Sequence, residues 1–393
     1  MKKIFNNTRV AFSLKSNAEL RKAYLLFKMM SYPRLVNFMA ALTRFLLQIH
    51  APVKGIIKNT VYEQFCGGLT KEDCINTIRQ LHTMNVRAIL DYSVEGKETE
   101  AEFDMAIEQK CALIAFAKHH PGIAFAVMKP TALGRFALWQ RVSEKKPLSP
   151  EQAEAWQRIK VRFDTICRKA FENKVPLLID AEESWMQDAA DELAEEMMRK
   201  YNREYTFIYN TVQCYRHDRL DYTRKLHETA KKEGFKTGVK IVRGAYMEKE
   251  NERAEKMGYP SPVCKDKAAT DQVFNAVLQY SIAHLEDFSV FVGSHNEQST
   301  YLALQFMEEY HIEKSDERIW FGQLYGMSDH LSFNLGKEGY NAVKLIPFGP
   351  VKEVIPYLIR RAKENTSVAG QTGRELALIK QEIQRRKASG TAT

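Results

Sequence analysis

The chain has 393 residues, 45% hydrophobic and 27% charged, the composition of a folded globular protein with apolar mass for a large core. Its net charge of +9 is unevenly spread: residues 1–60 hold eleven Lys/Arg against one acid, Glu19, a net of +10, so residues 61–393 together carry −1. This argues against a nucleic-acid-binding body. It places the cationic character on an N-terminal segment suited to an anionic membrane surface or to a helical layer packed on the main domain.

The Met1-Lys-Lys start lacks the hydrophobic core of a secretory signal, because Asn6, Asn7 and Arg9 intervene. Leu35 to Ile57 is apolar but broken by Arg44, His50 and Lys54, so no uncharged run of about 18 residues exists and no membrane span is expected. Residues 1–84 read as a basic N-terminal helical region, and 85–393 as the main domain. The six cysteines (66, 74, 111, 167, 214 and 264) form no CxxC and no Cys/His metal spacing. They read as reduced thiols of a reducing compartment. Residues 388–393 read as a frayed tail.

From about residue 85 short apolar runs alternate with helix-like stretches. The runs are Val86–Leu90, Ile123–Met128, Val175–Ile179, Thr206–Val212, Gly238–Val242, Phe288–Val292, Arg318–Phe321 and Ala342–Ile346, each long enough only for a strand. The intervening stretches predict helices over Glu98–His119, Pro150–Glu172, Ser184–Arg203, Arg219–Glu233, Lys265–Leu285, Glu297–Tyr310, Ser328–Gly336 and Val351–Glu364. Eight of each is the count of an α/β (β/α)8 barrel of TIM type. The alternative, a doubly wound open sheet, usually carries a Gly-rich turn after its first strand, and Leu90-Asp91-Tyr92-Ser93 is not one.

A barrel of this kind does its chemistry at the C-terminal ends of its strands. There the sequence offers Asp91; Lys129; Asp180-Ala181-Glu182-Glu183; Gln213; Arg243-Gly244-Ala245-Tyr246; Ser294-His295-Asn296; Gln323; and Pro347-Phe348-Gly349. Lys129 and Asp180 follow adjacent strands and are expected to be neighbours, as a site pair or a structural salt bridge. A divalent metal on the Asp180 cluster is disfavoured by Lys129 beside it. Gln213 offers a donor and an acceptor. Ser294-His295 opens a helix, as a phosphate seat or as simple capping. On the last helix Tyr357 and Glu364 lie three and four positions from the adjacent Arg360 and Arg361, so all four crowd together at helical spacing. Two guanidinium forks suit a carboxylate, although paired arginines also occur on solvated faces.

Six ordered segments carry a resemblance: Asp180-Ala-Glu-Glu183, Thr211-Val-Gln213, Lys240-Ile-Val-Arg-Gly-Ala-Tyr246, Ser294-His-Asn296, Phe321-Gly-Gln-Leu-Tyr-Gly-Met327 and Tyr357-Leu-Ile-Arg-Arg-Ala-Lys-Glu-Asn365. Together they resemble the proline dehydrogenases, the flavin enzymes that open proline catabolism, and in particular the one-domain form also found in mitochondria. The resemblance implies a distorted (β/α)8 barrel with an N-terminal helical extension, FAD held without a covalent bond, and L-proline oxidised to Δ1-pyrroline-5-carboxylate. It further implies a membrane quinone as electron acceptor, a peripheral place at the inner face of a membrane in the cytoplasm (the matrix if mitochondrial), and no nucleic-acid partner. Carried over residue by residue, Arg360 and Arg361 would bind the proline carboxylate, Tyr357 would pack on the ring, and Lys129 and Asp180 would line the substrate side. Asp180 and Lys240 would be the catalytic residues, with Lys240 near the flavin N5. Ala181, Gln213, Arg243, Gly244, Ala245, Tyr246, Lys267, Ser294, His295 and Asn296 would hold the cofactor, and Glu364 would brace the arginines. No metal is implied. Two residues depart from the family pattern: Lys240 stands where large bifunctional members have Arg, and Leu345 where many have Tyr. Tyr357 is retained, whereas members preferring hydroxyproline carry a smaller residue, so proline is the expected substrate. The sequence given predicts the first catabolic step alone.

Overall fold

The computed structural model describes residues 3–49, 54–92, 98–367 and 371–390. Eight strands form a closed barrel in sequence order: β1 (Val86–Tyr92), β2 (Ile123–Met128), β3 (Leu177–Ile179), β4 (Ile208–Gln213), β5 (Thr237–Val242), β6 (Phe288–Gly293), β7 (Ile319–Leu324) and β8 (Ala342–Phe348). The pairings are parallel, including β1 with β8. Each apolar run of the sequence is therefore a strand, and the (β/α)8 expectation holds.

Several polar residues expected beyond the strands lie inside them. Pairing of Asp91 with Pro347 and of Tyr92 with Phe348 extends β1 and β8. Gln213 is the last residue of β4, opposite Val242, and Gln323 falls within β7. Backbone pairing with a neighbour, rather than side-chain polarity, ends these strands. The expected helices form with ends moved by up to a few residues. Three more were not anticipated: Phe136–Ser143, Met247–Met257 and Gln371–Ala388. The last runs up to the expected tail, of which residues 391–393 lie outside the described residues.

The chain divides into two compact units, Glu95–Ser294 with Gln298–Gly322, and Met1–Val94 with His295–Glu297 and Gln323–Thr393. In the first, the Glu100–Lys118 and Pro150–Asn173 helices start at capping boxes, Thr99 with Glu102 and Ser149 with Gln152, each satisfying two otherwise orphaned donors. Inside the barrel wall Phe125 meets Tyr209, Phe291 and Trp320 edge-on, with ring centroids 5.6, 5.3 and 5.3 Å away. Such edge-to-face contacts add to simple burial.

In the other unit the N-terminal helices pack on the C-terminal ones. Met30, Val36, Tyr62 and Phe65 share a core with Val351, Val354, Tyr357 and Leu358. Ala11, Phe12, Leu20, Ala23 and Phe27 share another with Leu378 and Ile379. The basic segment is thus a helical layer whose inner face supports the helix that carries Arg360 and Arg361.

Candidate active site

Asp180 is the first residue after β3, where its backbone N–H donates to the Met128 carbonyl at 2.9 Å. The hydroxyl of Thr211 on β4 donates to the Ile179 carbonyl at 2.6 Å and steadies this strand end. The Asp180 carboxylate then receives the Lys240 ammonium at 2.6 Å. Lys240 lies on β5, and side chains from alternate strands of a barrel fall in one layer, which explains why β3 and β5 supply the pair. The sequence suggested Lys129 as the neighbour of Asp180. The partner found is Lys240, and the positive charge of Lys129 is felt at Glu182.

Glu182 is buried and accepts the Thr131 N–H at 3.0 Å and the Thr131 hydroxyl at 2.8 Å. Burial is the largest influence on its carboxyl and pushes its pKa up to about 7, against those two hydrogen bonds and Lys129. Its carbonyl accepts the Gln213 side-chain N–H at 2.6 Å, so the carboxamide of Gln213 is held in a fixed orientation within a buried environment. Gly244 has φ +99°, and a Cβ there would lie 2.1 Å from the Tyr215 ring and 3.2 Å from Gln213 Oε1. Only glycine fits that turn.

Arg243 is braced on every side. It donates to Asp271 at 2.7 Å, to Ser294 Oγ at 3.0 Å and to Ser299 Oγ at 2.9 Å, and its guanidinium lies 4.4 Å from the Phe274 ring centroid. Lys267 joins the same group through Asp271 Oδ2 at 2.5 Å. Of the residues expected at a cofactor site, Arg243 and Ser294 are in direct contact, Gly244 follows Arg243 in the chain, and a side chain at Gly244 would crowd Gln213. Tyr246 precedes the Met247–Met257 helix as its N-cap residue, Ala245 is exposed and Ala181 buried.

The other unit holds His295, Asn296 and the arginine helix. His295 Nδ1 is 2.9 Å from Ser328 Oγ. Loss of hydration, then the charges of Lys344 and Arg361, lower the His295 pKa to about 3, so the imidazole is neutral and offers one donor and one acceptor. Asn296 is partly exposed. On the Val351–Ser367 helix the Arg361 guanidinium lies 5.2 Å from the Tyr357 ring centroid, the contact that i, i+4 spacing predicts. Tyr357 is buried and both arginines are partly exposed. The Glu364 side chain, expected to brace them, lies outside the described residues.

Several supporting groups escaped the sequence reading. Glu250 is fully buried and accepts Ser184 N–H, Ser184 hydroxyl and Tyr215 hydroxyl at 2.7, 2.6 and 3.0 Å. Lys344 on β8 is fully buried and pairs with Asp329 at 2.9 Å. Glu375 accepts the Ser328 N–H at 3.1 Å, while Ser328 adopts a left-handed φ of +51°. A lysine inside the apolar run Ala342–Ile346 was the one available signal. Among the described residues no three His, Cys, Asp or Glu side chains gather as a metal-binding group, and no helix is long and apolar enough to cross a membrane.

The proline dehydrogenase family model matches residues 74–374. Relatives include the carbapenem antibiotics biosynthesis protein CarD of Pectobacterium carotovorum subsp. carotovorum, 34% identical over 86% of this chain and 87% of that protein. Mitochondrial proline dehydrogenase 1 of Homo sapiens is 42% identical over 59% of this chain, a match that spans only 39% of the human protein. Hydroxyproline dehydrogenase of Xenopus laevis is 30% identical over 95% of this chain and 88% of its own length. Among solved structures, proline utilization A from Bdellovibrio bacteriovorus superimposes with a TM-score of 0.69 at 21% identity, covering 93% of this chain and 37% of that one. The barrel is therefore the same fold.

Proposed function

The chain belongs to the proline dehydrogenase family, and from that premise we propose that it oxidises L-proline to Δ1-pyrroline-5-carboxylate with FAD as its resident cofactor. The observation that carries this reading is the Asp180–Lys240 pair at 2.6 Å, an ion pair at the mouth of a barrel in which Gln213 ends β4 and Arg243 follows β5.

The braced donors of the first unit fit a flavin nucleotide. Gln213 is buried with its carboxamide oriented, which suits the carbonyl and ring-nitrogen edges of an isoalloxazine. Arg243 and Ser294, with Lys267 nearby, suit the phosphates and the adenylate end. His295, Asn296, Ala181, Ala245 and Tyr246 would complete the cradle, and Glu364 would brace the arginines. Bound FAD supplies the two-electron acceptor that no amino-acid side chain provides.

The chain's own residues bind and orient. Arg360 and Arg361 grip the proline carboxylate, and Tyr357 covers the ring. Holding the substrate by both fixes the ring carbon next to nitrogen for hydride loss. That C–H bond breaks as the nitrogen lone pair forms C=N, and the nitrogen proton leaves to give the neutral imine. Asp180 fixes the Lys240 ammonium, which offsets negative charge arising near it. Lys129 lines the substrate side. The bulk of Tyr357 favours proline over hydroxyproline, the substrate named for the Xenopus relative. Electrons then pass to a membrane quinone, with the protein peripheral at the cytoplasmic face, or in the matrix if mitochondrial, and no nucleic acid takes part.

The test is proline-dependent reduction of a soluble dye by the purified protein, with the cyclic imine trapped as product. Dye reduction and imine in equal amounts support the reading. Neither, after FAD has been supplied, overturns it.

A further inference from the structure

Among the described residues sixteen large hydrophobic side chains stand exposed, and eight of them fall between Leu25 and Ile49, a density that scattered surface residues do not reach. On the Pro33–Gln48 helix and just past it, Leu35, Phe38, Leu42, Phe45 and Ile49 recur at spacings of three and four, which puts them along one stripe. Phe38, Phe45 and Ile49 are 62%, 55% and 57% exposed. The helix already spends another face on the fold, since Val36 and Ala40 are buried. The stripe is therefore additional to what folding requires. The preceding helix also exposes Leu25 and Met29, followed by Tyr32 between the two helices, 60%, 45% and 56% exposed.

Along residues 20–62 the fixed charges have one sign, although Lys22 pairs with Glu63 just beyond that stretch. Arg21, Lys22, Lys28 and Arg34 are exposed, and no acid occurs between Glu19 and Glu63. An apolar face rimmed by Lys and Arg is the pattern of helices that lie in a lipid interface. Packing the same face on a second copy of this chain would oppose two net-cationic surfaces, an arrangement that costs binding energy. The spacing alone would allow such a helix seam, and the charge decides against it.

We propose that the Asn17–Met30 and Pro33–Gln48 helices form a docking face for an anionic bilayer. Leu25, Met29, Phe38, Phe45 and Ile49 enter the headgroup–acyl boundary, and Arg21, Lys28 and Arg34 lie on lipid phosphates. The inference rests on the membrane part of the proposed function and not on the dehydrogenase chemistry.

The full chain loaded with its cofactor is sedimented with vesicles of phosphatidylcholine and phosphatidylglycerol, and separately with phosphatidylcholine alone. Wild type should bind the anionic vesicles and lose binding as salt rises. Phe38→Ser with Phe45→Ser should weaken that binding at least tenfold. Arg21→Gln, Lys28→Gln and Arg34→Gln together should weaken it on the order of a hundredfold at low salt. Both variants should reduce a soluble dye at the wild-type rate. No binding to anionic vesicles overturns the proposal, as does equal binding of all three proteins to neutral ones. Self-association lost in the Phe variant without vesicle binding also overturns it and assigns the face to a second copy. Vesicle binding by a protein inert towards proline upholds the docking face while removing the dehydrogenase reading.

Discussion

Replacing Glu375 by Gln should stabilise the protein above neutral pH and change it little in mild acid. Glu375 is 5% exposed on the Gln371–Ala388 helix and accepts the Ser328 N–H at 3.1 Å. Burial, and then Asp329, push its pKa from 4.5 up to about 7, against the pull of Lys344, the Ser328 hydrogen bond and Lys15. An acid whose pKa is raised on folding holds its proton in the native state. Its stability contribution is intact below the unfolded pKa and falls as pH rises from 4.5 to about 7, the folded value. At about 1.4 kcal/mol per unit this gap costs roughly 3 kcal/mol near pH 8 and under about 1 kcal/mol near pH 5. Gln has no proton to lose and keeps a carbonyl oxygen for Ser328. His295 and His330, whose pKa values burial lowers to about 3, act in the opposite sense, costing stability as pH falls from 6.5. The difference between wild type and variant cancels them. Urea denaturation followed by circular dichroism at both pH values gives that difference. An equal difference at the two pH values, or a wild type more stable near pH 8, refutes the reasoning.

Gly244→Ala forces a Cβ to within 2.1 Å of the Tyr215 ring at φ +99°, and should cost about 2–4 kcal/mol by chemical denaturation. Phe125→Ala removes the ring shared by Tyr209, Phe291 and Trp320, and should cost about 3–5 kcal/mol and lower the thermal midpoint. Arg360→Ala should weaken proline binding by about 2–5 kcal/mol, the scale for removing one partner of a desolvated charge pair, read as a shift in the proline dependence of dye reduction. An unchanged dependence removes Arg360 from the clamp.

The strands were legible because their β-branched runs are bounded by polar turns, whereas their ends were not, since Asp91, Gln213 and Gln323 join the barrel through backbone pairing that side-chain type does not report. The stack of Tyr357 on Arg361 could be read directly, because i, i+4 contacts are local. The partner of Asp180 could not, because adjacency in chain order suggested Lys129 while the layering of alternate strands supplies Lys240. The Gln371–Ala388 helix was missed because its sequence is largely polar. Its buried Leu378, Ile379 and Glu382 meet residues more than 350 positions away, Phe12 and Thr8 among them. The lysine of β8 went unremarked although it stands in an apolar run, and its partner Asp329 lies on another element, so nothing in the spacing connects the two.

The proposed reaction is the oxidation of proline by a flavin bound in this barrel. The most direct measurement is the visible spectrum of the purified protein, without oxygen, before and after L-proline is added. The flavin absorption should bleach with proline and bleach far less readily in Arg360→Ala. A protein that takes up no flavin, or one whose flavin stays oxidised under excess proline, would contradict it.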